Sequence, residues 1–200
     1  RDPTLVAELI AAPEAAANIA GIAIDATSST AIEAAGERPL DGDADVICWM
    51  DHRGEAEAEE IGATGDRYLD YVGGTVSPEM YLPKILWLKR NRPDLFARTD
   101  KVMSSTTYIV RKLTGETVID HYTAANFSPL YNIATQDWDM SLAGDIIEVG
   151  QLPRLLWSTQ IAGTVTAEAA AQTGLAIGTP VTCGTIDAAA EAVSVGVVGN

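Results

Sequence analysis

Apolar residues recur along this chain at two spacings, and the switches between them mark its elements. Leu5, Val6, Leu9 and Ile10 follow Asp2-Pro3 at helical spacing, with proline near the first helical position, so a helix running to about Asn18 is predicted. Short apolar runs over 19–25 and 31–35 then surround the polar cluster Thr27-Ser28-Ser29-Thr30. Gly36-Glu37-Arg38-Pro39 supplies a turn, and 45–50 reads as a further buried strand. Three strands within fifty residues argue for a sheet. Beyond Asp51 the period turns helical, over 55–63, over a Pro83-started segment to Asn91, and over 104–113 closed by Thr114-Gly115. Apolar runs at 117–119 and 130–133 flank a polar loop. The last quarter has α/β order, with a strand at 163–166, a helix at 167–173 ending at Gly174, a strand at 180–184 and a helix at 187–195. No internal repeat and no long Gly/Ser/Pro linker breaks the chain, so no domain boundary is expected inside it.

The chain's 200 residues, 47% of them hydrophobic and 20% charged, suit one α/β domain with a real core, or one domain and part of another. No stretch approaches the roughly 18 uncharged apolar residues of a membrane helix, and no signal-peptide pattern opens the sequence, which reads as soluble, cytoplasmic and without a membrane partner. Thirteen Lys plus Arg stand against 28 Asp plus Glu, a net charge of −15. Without a basic stripe, an extended phosphate backbone is repelled, so nucleic acid is not an expected partner. Cys48 and Cys183 lie in apolar runs, and His52 and His121 stand without metal-ligand spacing, so neither a disulfide framework nor a metal site is expected. A start at Arg1 and a stop just after the apolar run 193–198 read as a piece of a longer protein.

Three constellations could carry chemistry. Thr182-Cys183-Gly184-Thr185-Ile186-Asp187-Ala188-Ala189-Ala190 puts the Asp187 carboxylate among small residues where a strand meets a helix. Such an acid either caps the helix or accepts a proton from a substrate hydroxyl. In Trp49-Met50-Asp51-His52-Arg53 the indole can shelter the carbon face of a polyol while Asp51 and Arg53 grip hydroxyls or each other; alternatively Trp49 caps the core beside a surface ion pair. Gly73-Gly74-Thr75-Val76-Ser77-Pro78-Glu79-Met80 is a turn-rich loop leading to Lys84 and Trp87. It lacks the Gly-Lys-Ser/Thr ending of a nucleotide loop. Glu79 there either reaches a substrate hydroxyl or complements the following helix dipole. Asp120 and His121, neighbours on an extended segment, point to opposite faces, and no Gly-x-Ser-x-Gly elbow exists, so a hydrolase triad is unsupported.

In order and spacing these segments resemble the sugar-binding, N-terminal domain of the FGGY carbohydrate kinases, of xylulokinase and ribulokinase type. The resemblance runs from about Ile19 to Val198. It rests on the 49–53 stretch, on Ser77-Pro78-Glu79-Met80 with Pro83-Lys84-Ile85-Leu86-Trp87-Leu88-Lys89, on Leu113-Thr114-Gly115-Glu116 leading to Asp120, and on Gly178-Thr179-Pro180-Val181 followed by Asp187. It implies an actin-like, ribonuclease-H-like ATPase fold, here incomplete, with a mixed sheet flanked by helices. It implies transfer of the ATP γ-phosphoryl group, with Mg²⁺, to a hydroxyl of a pentulose such as xylulose or ribulose. Asp187 would be the general base, and Thr27, Ser28, Trp49, Asp51, Arg53 and Glu79 would bind the sugar. The family's opening hairpin with its Asp-x-Gly-Thr phosphate turn, and its C-terminal ATP-binding domain, are not among these 200 residues, so the chain alone is expected not to turn over ATP. Apolar surface that faces the second domain in the family would then favour a homodimer. Ala188 stands where many relatives have Asn or Gln, and Ala26-Thr27-Ser28 replaces the usual Gln-Met-His or Gln-Arg-Glu. The alternative is a non-catalytic sugar-binding or interaction domain of the same fold.

Overall fold

The structure is a computed structural model that describes residues 16–27, 31–33, 46–65, 67–142 and 146–197. The helix expected before Asn18 lies outside these residues except at Ala16 and Ala17, which are helical, and the turn at 36–39 lies outside them altogether. In chain order the described elements are β1 (Asp25–Ala26), β2 (Ala31–Glu33), β3 (Val46–Ile47), α1 (Glu55–Gly62), α2 (Tyr81–Asn91), α3 (Pro93–Phe96), β4 (Val102–Met103) and α4 (Ser105–Thr114). They continue with β5 (Val118–Asp120), α5 (His121–Ala124), β6 (Tyr131–Asn132), β7 (Asp137–Trp138), β8 (Arg154–Leu156), β9 (Ile161–Thr164), α6 (Ala167–Thr173), β10 (Pro180–Thr182), β11 (Thr185–Ile186) and α7 (Asp187–Ser194). Strands pair in both senses. β1 with β11 and β5 with β8 run parallel, whereas β2 with β3 and β4, β6 with β7, and β9 with β10 run antiparallel.

Helix ends follow local chemistry. The Ser104 side chain accepts a hydrogen bond from the Thr107 N–H at 3.0 Å and starts α4, and Gly115, at φ 81°, closes it in the left-handed conformation. Thr166 and Gly174 do the same for α6. α2 begins at Tyr81, two residues before the proline expected to start it. Pro83 therefore sits in the first turn, where a missing N–H removes no helical bond. The strand expected over 45–50 is shorter than its apolar pattern suggests. It ends at Ile47, because the Asp51 N–H closes a turn on the Cys48 carbonyl at 3.1 Å and lifts Trp49 and Met50 towards solvent.

Two apolar clusters hold the elements together. In one, Tyr81, Leu82, Ile85 and Leu88 of α2 pack with Ile47, Ile119, Phe127 and Leu130, and the Tyr81 ring stacks on Phe127 at 4.2 Å between centroids. In the other, Val110 and Leu113 of α4 meet Val118, Val165, Ala169, Val181 and Cys183. Each fully buried Leu, Ile or Val contributes about 1.5–3 kcal/mol of transfer free energy. α4 also reaches β11, through the Thr106 hydroxyl, which donates to the Thr185 carbonyl at 2.9 Å. That contact fixes the end of the strand from which Asp187 leaves. Among the described residues no helix is long and apolar enough to cross a membrane.

Candidate functional site

Between β10 and β11 the chain turns through Gly184, at φ +74°. A Cβ there would stand 2.3 Å from the Ile24 carbonyl oxygen and 2.8 Å from the Thr106 Cγ2. Glycine alone permits this approach of two backbones, and the approach lets β11 pair with β1. The parallel register sets Asp25 against Thr185 and Ala26 against Ile186. Thr27 and Asp187 are the next residues on the two strands, so they leave the sheet side by side at its carboxyl end, where open α/β sheets hold ligands. Thr27 is exposed and Asp187 half-buried; Ser28 lies outside the described residues. Asp187 is the first residue of α7, one place inside the cap position held by Ile186. Its Oδ1 accepts the Ala188 N–H at 2.9 Å.

Four other expected sugar contacts form a second group. The Arg53 guanidinium grips both Asp51 oxygens, with Nε–Oδ1 at 3.0 Å and Nη2–Oδ2 at 2.7 Å, and its carbon lies 4.8 Å from the centre of the Trp87 ring. This pairing holds the Asp51 carboxyl below the usual carboxylate range, against the upward push of burial. Asp51 and Arg53 thus grip each other, one of the two uses foreseen for them. Glu79 precedes α2 and lies outside its first turn, and its Oε1 meets His52 Nε2 at 3.2 Å. Trp49 is 39% exposed, its indole on the loop rather than inside the core. Lys84 ties this group together, although neither motif nor spacing marked it as a site residue. It is 0% exposed, and its Nζ donates to the Trp49 carbonyl at 2.9 Å and to the Glu79 carbonyl at 2.8 Å. Burial pushes its ammonium down to about 8, opposed by the nearby Asp51, Cys48 and Glu79.

The third group adjoins the first. Asp120, 2% exposed, ends β5 and caps α5, accepting from the Tyr122 N–H at 3.2 Å, the Thr123 N–H at 3.3 Å and the Thr123 hydroxyl. The Thr185 hydroxyl, two residues before Asp187, donates to it at 2.9 Å. β5 and β8 run parallel with Asp120 opposite Leu156, which brings the following residues, His121 and Trp157, together with ring centres 4.3 Å apart. His121 Nδ1 lies 2.8 Å from the Tyr131 hydroxyl, and burial pushes the imidazole pKa down while Asp120 and Asp137 oppose the shift. Asp120 and His121 thus serve different partners and form no dyad with each other. The aromatic face of Trp157 and Tyr122, exposed at 38% and 52%, was not foreseen, because β8 carries no alternating pattern that would reveal it as a strand.

Comparison with known proteins places this arrangement. The model of the FGGY family of carbohydrate kinases, N-terminal domain, matches residues 7–194. A D-ribulokinase of Saccharomyces cerevisiae is 38% identical over 121 residues, covering 56% of this chain and 16% of its own length. The xylulose kinase of Escherichia coli is 33% identical over 153 residues, covering 76% of this chain and 31% of its own. The crystal structure of xylulose kinase from Rhodospirillum rubrum superposes with a TM-score of 0.82 at 26% identity, covering 97% of this chain and 41% of that one. The chain therefore spans well under half the length of these relatives. Sugar kinases of this kind have the actin-like ATPase fold, and this α/β chain carries part of it.

Proposed function

The chain belongs to the FGGY family of carbohydrate kinases, and on that premise we propose that it is the N-terminal, sugar-binding domain of a kinase that moves the ATP γ-phosphoryl group to a hydroxyl of a neutral pentulose, xylulose or ribulose. The observation that carries this reading is the emergence of Thr27 and Asp187 side by side from parallel strands, with three alanines following Asp187. In the proposed reaction the sugar oxygen attacks the γ-phosphorus as the bond from phosphorus to the ADP oxygen breaks. The hydroxyl proton passes to the Asp187 carboxylate. A positioned base of this kind contributes about 10²- to 10⁴-fold in rate, and the remainder comes from orientation and charge neutralisation.

Trp49 and Glu79 would form the outer wall for the sugar, and Thr27, with Ser28 following it in sequence, the floor. Asp51 and Arg53 act there as a rigid pair that shapes the wall, because each is already bonded to the other. The described acids offer no cage for Mg²⁺, since Asp120 already accepts four hydrogen bonds and Asp51 is held by Arg53. Nor does this sequence contain an Asp-x-Gly-Thr turn for phosphate. ATP and Mg²⁺ would then be held mostly by parts of the protein outside these 200 residues, and the reaction would run in the cytoplasm.

The test is ADP release by the full-length gene product over a panel of ketopentoses and polyols, with Asp187→Asn as the companion. ADP formed only with a matching ketopentose, and lost in the variant while sugar still binds, supports the proposal. Sugar binding without ADP from the unaltered protein would instead identify a non-catalytic sugar-binding domain.

A further inference from the structure

We propose that Lys84 is a positioning residue whose ammonium clasps the loop 48–53 to the turn 77–80, so that Trp49 and Glu79 present one fixed wall to the sugar. The inference rests on the kinase reading for the word sugar, and on geometry alone for the clasp. A fully buried lysine is rare, and placing its charge away from water is costly. A leucine or methionine would fill the same space in α2 without that cost. What lysine adds is direction. Its Nζ donates to two carbonyls that belong to different loops, that of Trp49 at 2.9 Å and that of Glu79 at 2.8 Å. The other ends of those same residues are the side chains expected to meet substrate.

Two further ties show that the loop is held as a unit. Gly54, just past the loop, lies so close to α2 that a Cβ on it would stand 2.9 Å from the Pro83 carbonyl oxygen. His52, at mid-loop, meets the Glu79 carboxylate at 3.2 Å. The segment 49–54 is therefore fastened to 79–84 at its beginning, middle and end. The first and last fastenings are buried, whereas the middle one is exposed, with side-chain exposures of 58% and 42%. An exposed pair of this kind contributes little on its own. The Lys84 bonds are thus the ones that can fix the Trp49 backbone. Of the groups around it, Asp51, Cys48 and Glu79 favour the charged form of Lys84 and Arg53 opposes it.

The experiment compares wild type with Lys84→Met in the full-length gene product by amide hydrogen exchange and by steady-state kinetics. Loss of the clasp should speed exchange over 48–53 and 77–80 while 161–183 stays as protected as before. It should also raise the KM for the sugar by about tenfold or more, the equivalent of losing a hydrogen bond from a charged donor, with the KM for ATP unchanged and kcat within about threefold. Unchanged exchange in the two loops overturns the clasp. Faster exchange with an unchanged sugar KM overturns the positioning role and leaves Lys84 as a support of the fold. If Lys84→Met does not accumulate as folded protein, Lys84→Gln, whose shorter amide cannot span both carbonyls, gives the same readings. Wild-type protein that phosphorylates no sugar sinks the kinase reading, and the exchange comparison still decides the clasp.

Discussion

Asp120 and Asp187 are joined through Thr185, yet their surroundings suit them to different work. Asp120 is buried and accepts from two backbone N–H groups and two hydroxyls, so its oxygens are committed to holding α5 and β11 together. Asp187 is half-buried, accepts one backbone N–H at 2.9 Å, and stands where the proposed reaction needs its base. Asp187→Asn should therefore lower kcat by about 10²–10⁴ while the sugar KM changes little. Asp120→Asn should cost about 1–3 kcal/mol in urea unfolding, because the new amide turns N–H groups towards donors. An Asp120→Asn protein as stable as wild type would show that this network is not structural. Lys84 carries a separate signature. With its pKa about 8 in the folded protein, against an ordinary 10.5, folded and unfolded chains are both protonated below pH 8, and only the unfolded chain holds the proton between those values. Stability should rise with pH across that window, by up to about 3 kcal/mol from this group, and the rise should be missing in Lys84→Met when urea midpoints are compared at pH 7 and 10. The sequence could put forward Asp187, Trp49 and Glu79 because each sits in a local motif. Lys84 could not be put forward in this way, since one of its partners is 35 positions away and a lysine in a helical run carries no mark of burial.

At the scale of elements, two glycines with similar backbone angles should respond differently to the same substitution. Gly115 closes α4 at φ +81° with nothing within 4 Å of the place an added methyl group would take, so Gly115→Ala should cost only the left-handed backbone penalty, about 1 kcal/mol. Gly184→Ala adds a collision with the Ile24 carbonyl, and a loss of about 2–4 kcal/mol is expected. Relieving that collision must push β11 away from β1, so the folded fraction of Gly184→Ala should also lose turnover, which Gly115→Ala should keep. Thermal midpoints together with kcat separate the two, and equal behaviour would mean that the β1–β11 pairing does not set the site. The same contrast explains which elements the sequence revealed. Ser104, Gly115, Thr166 and Gly174 end their helices by contacts within a few residues, and those helices lie where their patterns put them. β4 and β8 are two or three residues long and exist through partners far along the chain, and β7 is two residues long, so no periodicity could announce them. The carboxyl-end placement of Thr27 beside Asp187 depends on such a pairing, so the sequence could suggest the two residues but not their adjacency.

For the molecule as a whole, charge narrows the substrate. The domain carries a net charge of −15, and the cations of the proposed sugar wall are already engaged, Arg53 by Asp51 and Lys84 by two carbonyls. A sugar acid entering beside Asp187 would bring a second carboxylate into this field and displace an existing partner to find a counter-ion. A neutral ketose needs only acceptors, donors and an indole face, which the wall supplies. The kcat/KM of the full-length protein for xylulose or ribulose should thus exceed that for the corresponding aldonate by about a hundredfold or more at low ionic strength, since one such like-charge contact at about 4 Å and an effective dielectric near 20 amounts to about 4 kcal/mol. Raising salt from about 0.01 M to about 1 M shortens the screening length from about 30 Å to about 3 Å, which should narrow the gap by relieving the long-range repulsion without closing it, because the paired cations remain occupied. A gap that vanishes in salt would assign the selectivity to net charge alone. An aldonate turned over as well as the ketose at low salt would mean that Arg53 leaves Asp51 to receive it, and the rigid-pair role given to those two residues would fail.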